Sequence, residues 1–114
     1  MPIQTVTQRN TLATSYGTTA TFGALYTTAP GAAQGTEVAG GTPAYARKPL
    51  AWGTPVGSAI TVTVVFDVPA GVTVVGSGMH TALTAGTYLD GGTVTSQAFA
   101  TQGTYSCVFT YVQA

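Results

Sequence analysis

Between Ala59 and Val68 the chain reads Ala-Ile-Thr-Val-Thr-Val-Val-Phe-Asp-Val, ten residues with no glycine or proline. Ile60, Val62, Val64, Phe66 and Val68 fall on one side of an extended backbone; Ala59, Thr61, Thr63, Val65 and Asp67 fall on the other. A period of two belongs to a β-strand, whose successive side chains point to opposite faces, and β-branched residues suit it. A second such segment closes the sequence, where Tyr105, Cys107, Phe109 and Tyr111 alternate with Ser106, Val108, Thr110 and Val112. Two long strands, each apolar on one face, need a second layer to bury those faces. The expected core accordingly includes Ile60, Val62, Val64, Phe66, Phe109 and Tyr111.

The intervening segments fill in a β architecture. Pro69-Ala70-Gly71 interrupts the first strand, and another runs from Val72 to about Met79, so the two read as a hairpin. Thr87-Tyr88-Leu89 forms a short strand stopped by a turn at Asp90-Gly91-Gly92. Val94 to Ala100 forms another, ending before Gln102-Gly103. Upstream, Thr21–Thr27 and Tyr45–Trp52 read as strands, with Pro49 marking an edge or a bulge. Strands spaced 8 to 12 residues apart with glycine-rich turns predict an all-β fold, an antiparallel β-sandwich of immunoglobulin-like or jelly-roll-like type. The 114 residues make one domain. Its N-terminal segment, residues 1–18, includes a helical spacing over Gln4–Tyr16, carried by Val6, Arg9, Leu12, Ala13 and Tyr16. Four threonines oppose that helix, and the sequence leaves it open. Residues 29–43, APGAAQGTEVAGGTP, read as a long Gly/Pro-rich loop, and a loop of that length is often functional or interfacial.

Charge is nearly absent. Arg9, Arg47, Lys48, Glu37, Asp67 and Asp90 are the six charged residues, 5% of the chain, and the formal net charge is +0. Ordinary soluble domains carry about 25% charged residues. Threonine, at 23 copies, supplies the polarity instead. A free monomer stays apart from its neighbours by charge, so this composition suits a subunit packed against copies of itself or other proteins. Three basic residues cannot track a nucleic-acid backbone, which needs a cation for each neutralised phosphate. No apolar run approaches the ~20 residues of a membrane helix. The opening residues lack the basic and apolar regions of a signal peptide, so synthesis in the cytoplasm is expected.

Catalytic and metal chemistry find little material. Glu37, Asp67 and Asp90 are the three acids, and the last two are explained as residues flanking turns. His80 is the one histidine, too few for a metal site within one chain, and reads as a polar contact in a strand or interface. Cys107 shares the apolar face of its strand and reads as a buried filler without a neighbour to make it a thiolate. No catalytic residue, cofactor or metal ligand is therefore expected. Trp52 and the six tyrosines could instead form a sugar-stacking platform, or fill the core and subunit interfaces.

Several segments together carry a resemblance: Leu25-Tyr26-Thr27-Thr28-Ala29-Pro30-Gly31, Gly35-Thr36-Glu37-Val38-Ala39-Gly40-Gly41, Tyr45-Ala46-Arg47-Lys48, Trp52-Gly53, Phe66–Val74, and Gly86-Thr87-Tyr88-Leu89-Asp90-Gly91-Gly92. In this order, over residues 12–100, the chain resembles small virion structural proteins of tailed bacteriophages and prophages, of the tail-fibre or minor tail type. The Met79-His80 region departs from the family, where an aromatic residue is expected. The resemblance implies a β fold and a non-enzymatic accessory subunit on the particle surface, a capsid decoration or minor tail component made in the host bacterial cytoplasm. Implied partners are copies of this chain, a trimer favoured, and major capsid or tail proteins. The alternative function is a carbohydrate-binding module that engages a host-surface glycan. Candidate interface or binding residues are Tyr26, Glu37, Tyr45, Arg47, Trp52, His80 and Tyr88.

Overall fold

The computed structural model describes residues 3–114; Met1 and Pro2, at the start of the N-terminal segment, lie outside them. The element order is α1 (Val6–Thr19), β1 (Phe22–Tyr26), β2 (Lys48–Pro49), β3 (Ala59–Val68), β4 (Val72–His80), β5 (Tyr88–Phe99) and β6 (Gly103–Val112). The strands form two antiparallel sheets, β2-β1-β4-β5 and β3-β6, which pack as an all-β sandwich.

The two alternating segments pair with each other. β3 and β6 run in unbroken register from Ala59 opposite Val112 to Val68 opposite Gly103. Ile60, Phe66, Val68, Tyr105, Cys107 and Phe109 point inward and are buried, with Val62, Val64 and Tyr111 half-buried beside them. They meet Leu25, Val74, Met79 and Phe99 of the other sheet, with Val38 and Leu50 from the connecting segments. The expected core face is the observed one. Thr61, Thr63, Val65, Thr104, Ser106, Val108, Thr110 and Val112 face outward and are exposed.

Helix α1 forms despite its threonines. Thr5 caps it, its side chain accepting from Gln8 N–H at 3.4 Å. The helix begins two residues later than expected and runs three residues further, to Thr19. Packing supplies what propensity does not: Tyr16 stacks on Tyr111 with ring centroids 3.8 Å apart, and Asn10 Oδ1 accepts from Ser58 N–H at 2.8 Å. Ala13, on the helix itself, is fully buried. The helix closes the end of the sandwich where β3 begins and β6 ends.

Four local expectations require correction. The expected hairpin is absent: Pro69-Ala70-Gly71 carries the chain across the core, and β4 pairs with β1 and β5 in the opposite sheet. Gly71 supplies the φ of +80° that this crossing uses. Alternation tells which face a strand buries, not which neighbour it pairs with. The strands at 87–89 and 94–100 are one, β5, and Asp90-Gly91-Gly92 lies inside it, opposite Met79, Gly78 and Ser77. Glycine is there for space: a Cβ on Gly91 would sit 2.6 Å from the Tyr88 hydroxyl. Only Lys48–Pro49 of the expected Tyr45–Trp52 strand pairs, as a two-residue edge. The 29–43 loop is anchored part-way, since Glu37 bridges Tyr26, Val38 N–H donates to Leu25 O at 3.1 Å, and Val38 is buried.

Candidate functional site

Six of the seven candidate residues come together at one flank of the larger sheet. β1 supplies Tyr26 and β4 supplies His80, and the two strands are antiparallel neighbours. Both side chains are buried, and they share a hydrogen bond between the Tyr26 hydroxyl and His80 Nε2. Tyr88, at the start of β5, packs edge-on against both, with centroids 5.6 Å from His80 and 6.3 Å from Tyr26. Its hydroxyl donates to Gly31 O at 2.7 Å, tying the Gly/Pro-rich loop to the sheet. Burial pushes the His80 pKa down, and the nearby Arg47 charge pushes the same way, so the ring is neutral at pH 7. Burial and the Glu37 charge push the Tyr26 hydroxyl up, and it stays protonated.

An ion pair adjoins this aromatic cluster. Arg47 Nε and an amino nitrogen donate to the two carboxylate oxygens of Glu37 at 3.0 and 2.9 Å, the bidentate geometry of a strong pair. The other amino nitrogen donates to Ala82 O and Ala85 O at 3.0 and 2.9 Å. Tyr45 donates its hydroxyl to Glu37 at 2.8 Å and accepts from Leu25 N–H at 3.0 Å. Burial alone would raise the Glu37 carboxyl, but the hydrogen bonds from Arg47 and Tyr45 outweigh it and hold the group below the usual carboxylate range. Arg47 thus joins three pieces of chain: the middle of the long loop, the segment before β2, and the β4–β5 connection. An open groove of about 410 Å³ lies alongside, lined by Val38, Tyr45, Ala46, Leu83 and Ala85, with Leu83 half exposed.

Every polar group named in this cluster has a partner inside the chain. Its chemistry is that of a staple: a satisfied charge pair and a buried Tyr–His contact that fix two loops to β1 and β4. Tyr26 and His80, candidates for an interface or binding site, are buried inside the subunit, His80 as the polar contact within a strand that is one of its two readings. Among the described residues no group of three His, Cys, Asp or Glu side chains could hold a metal ion. Trp52 stands apart at the helix end, its indole N–H donating to Ala20 O at 2.8 Å and its ring against Gly17.

The surface feature outside the candidate set is the outer face of β3-β6. Val65, Val108 and Val112 are 54%, 61% and 63% exposed there among threonines and a serine. The sequence carried this signal: valines recur on the side of each strand that alternation assigns to solvent. No family model, no curated protein and no solved structure matches this chain.

Proposed function

We propose that the chain is a non-enzymatic structural subunit of a bacteriophage particle, an accessory protein that self-associates and packs on other virion proteins such as major capsid or tail proteins. The observation that carries this reading is how its few charges are used. Glu37 pairs with Arg47, and Lys48 Nζ approaches Asp67 at 3.9 Å. Among the described residues those two pairs occupy four of the six charged residues, which leaves half-buried Arg9, whose Nε is enclosed without a partner, exposed Asp90, and a broad Thr/Ser/Val sheet face. Such a surface lacks the charge that holds free monomers apart and offers apolar area to a neighbour. The resemblance of its motif order to small tail-fibre and minor tail proteins points the same way and suggests the setting.

The glycan-binding alternative draws less support. A sugar platform needs an aromatic face open to solvent, whereas the near-parallel rings of Tyr16 and Tyr111 are stacked on each other, and Trp52 lies against the helix. The deciding experiment is mass spectrometry of density-purified phage particles from the source strain, followed by electron microscopy with an antibody against this chain. The chain is expected as a stoichiometric component at one location on the particle. Its absence from purified particles would refute the proposal.

A further inference from the structure

The sandwich has four sheet edges, at β2, β5, β3 and β6. An open edge displays unpaired N–H and C=O groups that template pairing with another chain, and proteins blunt such edges with charge, proline, bulges, cover or brevity. Three of the four are blunted here. β2 is two residues long and consists of Lys48 and Pro49. β5 carries Asp90, and its pairing with β4 breaks register twice, between Val74 and Gly76 and between Met79 and His80. β3 carries Asp67 near its end and is covered at its start, where Gly53 N–H donates to Thr61 O at 3.2 Å and Val56 and Ala59 exchange two hydrogen bonds. In a chain with six charges, one stands on each of these three edges.

Among the described residues, β6 has none of these devices. Its ten residues, Gly-Thr-Tyr-Ser-Cys-Val-Phe-Thr-Tyr-Val, include no charge and no proline, and its register with β3 is unbroken. The outward-pointing backbone positions follow from the ladder. The bonds from Gly53 to Thr61 and between Val56 and Ala59 show that Ala59 and Thr61 aim their backbone groups away from β6. Residues opposite one another in a non-bonded pair both point outward, so Val112, Thr110, Val108, Ser106 and Thr104 present their N–H and C=O groups to the free edge. Beside this edge the four-stranded sheet extends past the two-stranded one. A recess of about 250 Å³ opens there, lined by Ser77, Gly78, Thr93, Val94, Val108 and Thr110.

We infer that β6 is the self-association strand, pairing antiparallel with β6 of a second copy to form a continuous β3-β6-β6-β3 sheet across the dimer. The inference rests on the self-associating reading above and specifies its surface. A two-fold pair brings identical edges together, which charge would oppose and the neutral β6 permits. In a register centred on Val108, Thr104 meets Val112, Ser106 meets Thr110 and Val108 meets its own copy. Each of these outward residues then exchanges two backbone hydrogen bonds, and the added strands extend over the recess beside Val94. The symmetry is two-fold, in place of the trimer that the family resemblance favours.

The test is sedimentation velocity of the purified chain over a concentration series, with Val108→Lys, Val108→Glu and, as a remote control, Val6→Lys. Val108 and Val6 are both exposed, and an unchanged far-ultraviolet circular dichroism spectrum and melting temperature verify each fold. Wild type and Val6→Lys are expected to dimerise, and Val108→Lys or Val108→Glu alone to weaken the dimer at least about tenfold by placing like charges opposite each other. An equimolar mixture of Val108→Lys and Val108→Glu is expected to recover it. Amide exchange is expected to slow with concentration at Ser106, Val108 and Thr110. A wild-type oligomer unaffected by either folded variant would overturn the β6 assignment and leave self-association standing. A wild-type chain that stays monomeric at millimolar concentration would remove both.

Discussion

Acid should destabilise this fold through one side chain. His80 is the chain's only histidine, 1% exposed, hydrogen-bonded to Tyr26 and edge-on to Tyr88. Burial and Arg47 lower its pKa in the folded state, with Glu37 partly opposing them. The unfolded chain therefore takes up a proton near the ordinary value of about 6.5, where the folded chain resists it. For a depressed histidine pKa, the stabilisation is fully present above the unfolded pKa and is lost as pH falls below it, until the folded pKa is passed. The slope cannot exceed one proton, about 1.4 kcal/mol per pH unit, so the loss at pH 5.5 is at most about 1.4 kcal/mol. Carboxylates titrate mostly below that window, and the Glu37 contribution, present above the ordinary carboxylate pKa, is lost only on further acidification. Urea unfolding at pH 7.5, 6.5, 6.0 and 5.5, with the m-value held constant as a check, measures the slope. His80→Gln should lower stability at pH 7.5 and flatten the dependence. A wild-type midpoint that does not move between pH 7.5 and 5.5 would refute the reasoning, since a buried neutral histidine cannot be protonated in place at no cost.

Phe66→Ala should cost about 3–5 kcal/mol in urea unfolding, because Phe66 is fully buried, with the Phe109 and Tyr45 rings 6.1 and 6.2 Å from it by centroid. A cost under about 1 kcal/mol would show that the cavity is relieved by repacking. Arg47→Met should cost about 1–3 kcal/mol by leaving Glu37 without its charged partner, and a double-mutant cycle with Glu37→Gln should recover part of it; additive costs would show that the pair is uncoupled. Cys107, 3% exposed, with its thiol pKa pushed up by burial, should resist thiol reagents until the chain unfolds. Cys107→Ser should cost about 1–3 kcal/mol for a buried hydroxyl, and rapid labelling of the native thiol would contradict its placement.

What the sequence made legible was which face the two alternating strands bury. The alternation in Ala59–Val68 and Tyr105–Val112 has one solution, since a shift by one residue would turn Phe66 and Phe109 to water. Pairing partners were not legible, because β4 buries its apolar side equally well beside β3 or across from it; only the closed sandwich distinguishes the two. Asp90-Gly91-Gly92 was misleading for a related reason. The same three residues make a turn in isolation, and within β5 they make room for Tyr88 and the neighbouring strand. The candidate site was legible by residue but not by role. Glu37, Tyr45 and Arg47 lie close in sequence and do meet, yet their fork geometry fixes loops. His80 and Tyr26, 54 residues apart, met only because β1 and β4 are neighbours.

The distribution of charge ties the fold to the proposed assembly. A subunit that must reach its site singly needs to avoid premature pairing, yet its assembly edge must stay free of charge. Restricting the unblunted edge to one strand limits association to a two-fold contact that closes on itself, whereas two open edges would propagate a sheet without limit. Backbone pairing along a single edge is also a modest contact, since hydrogen bonds exchanged with water contribute about 1 kcal/mol each and association itself opposes them by several kcal/mol. Held side by side on a particle, two copies meet at an effective concentration that linkage to a common scaffold can raise to the millimolar range. On the proposed particle a neutral strand that pairs weakly in dilute solution would then suffice, and the scarcity of charge on this chain is what such pairing would require.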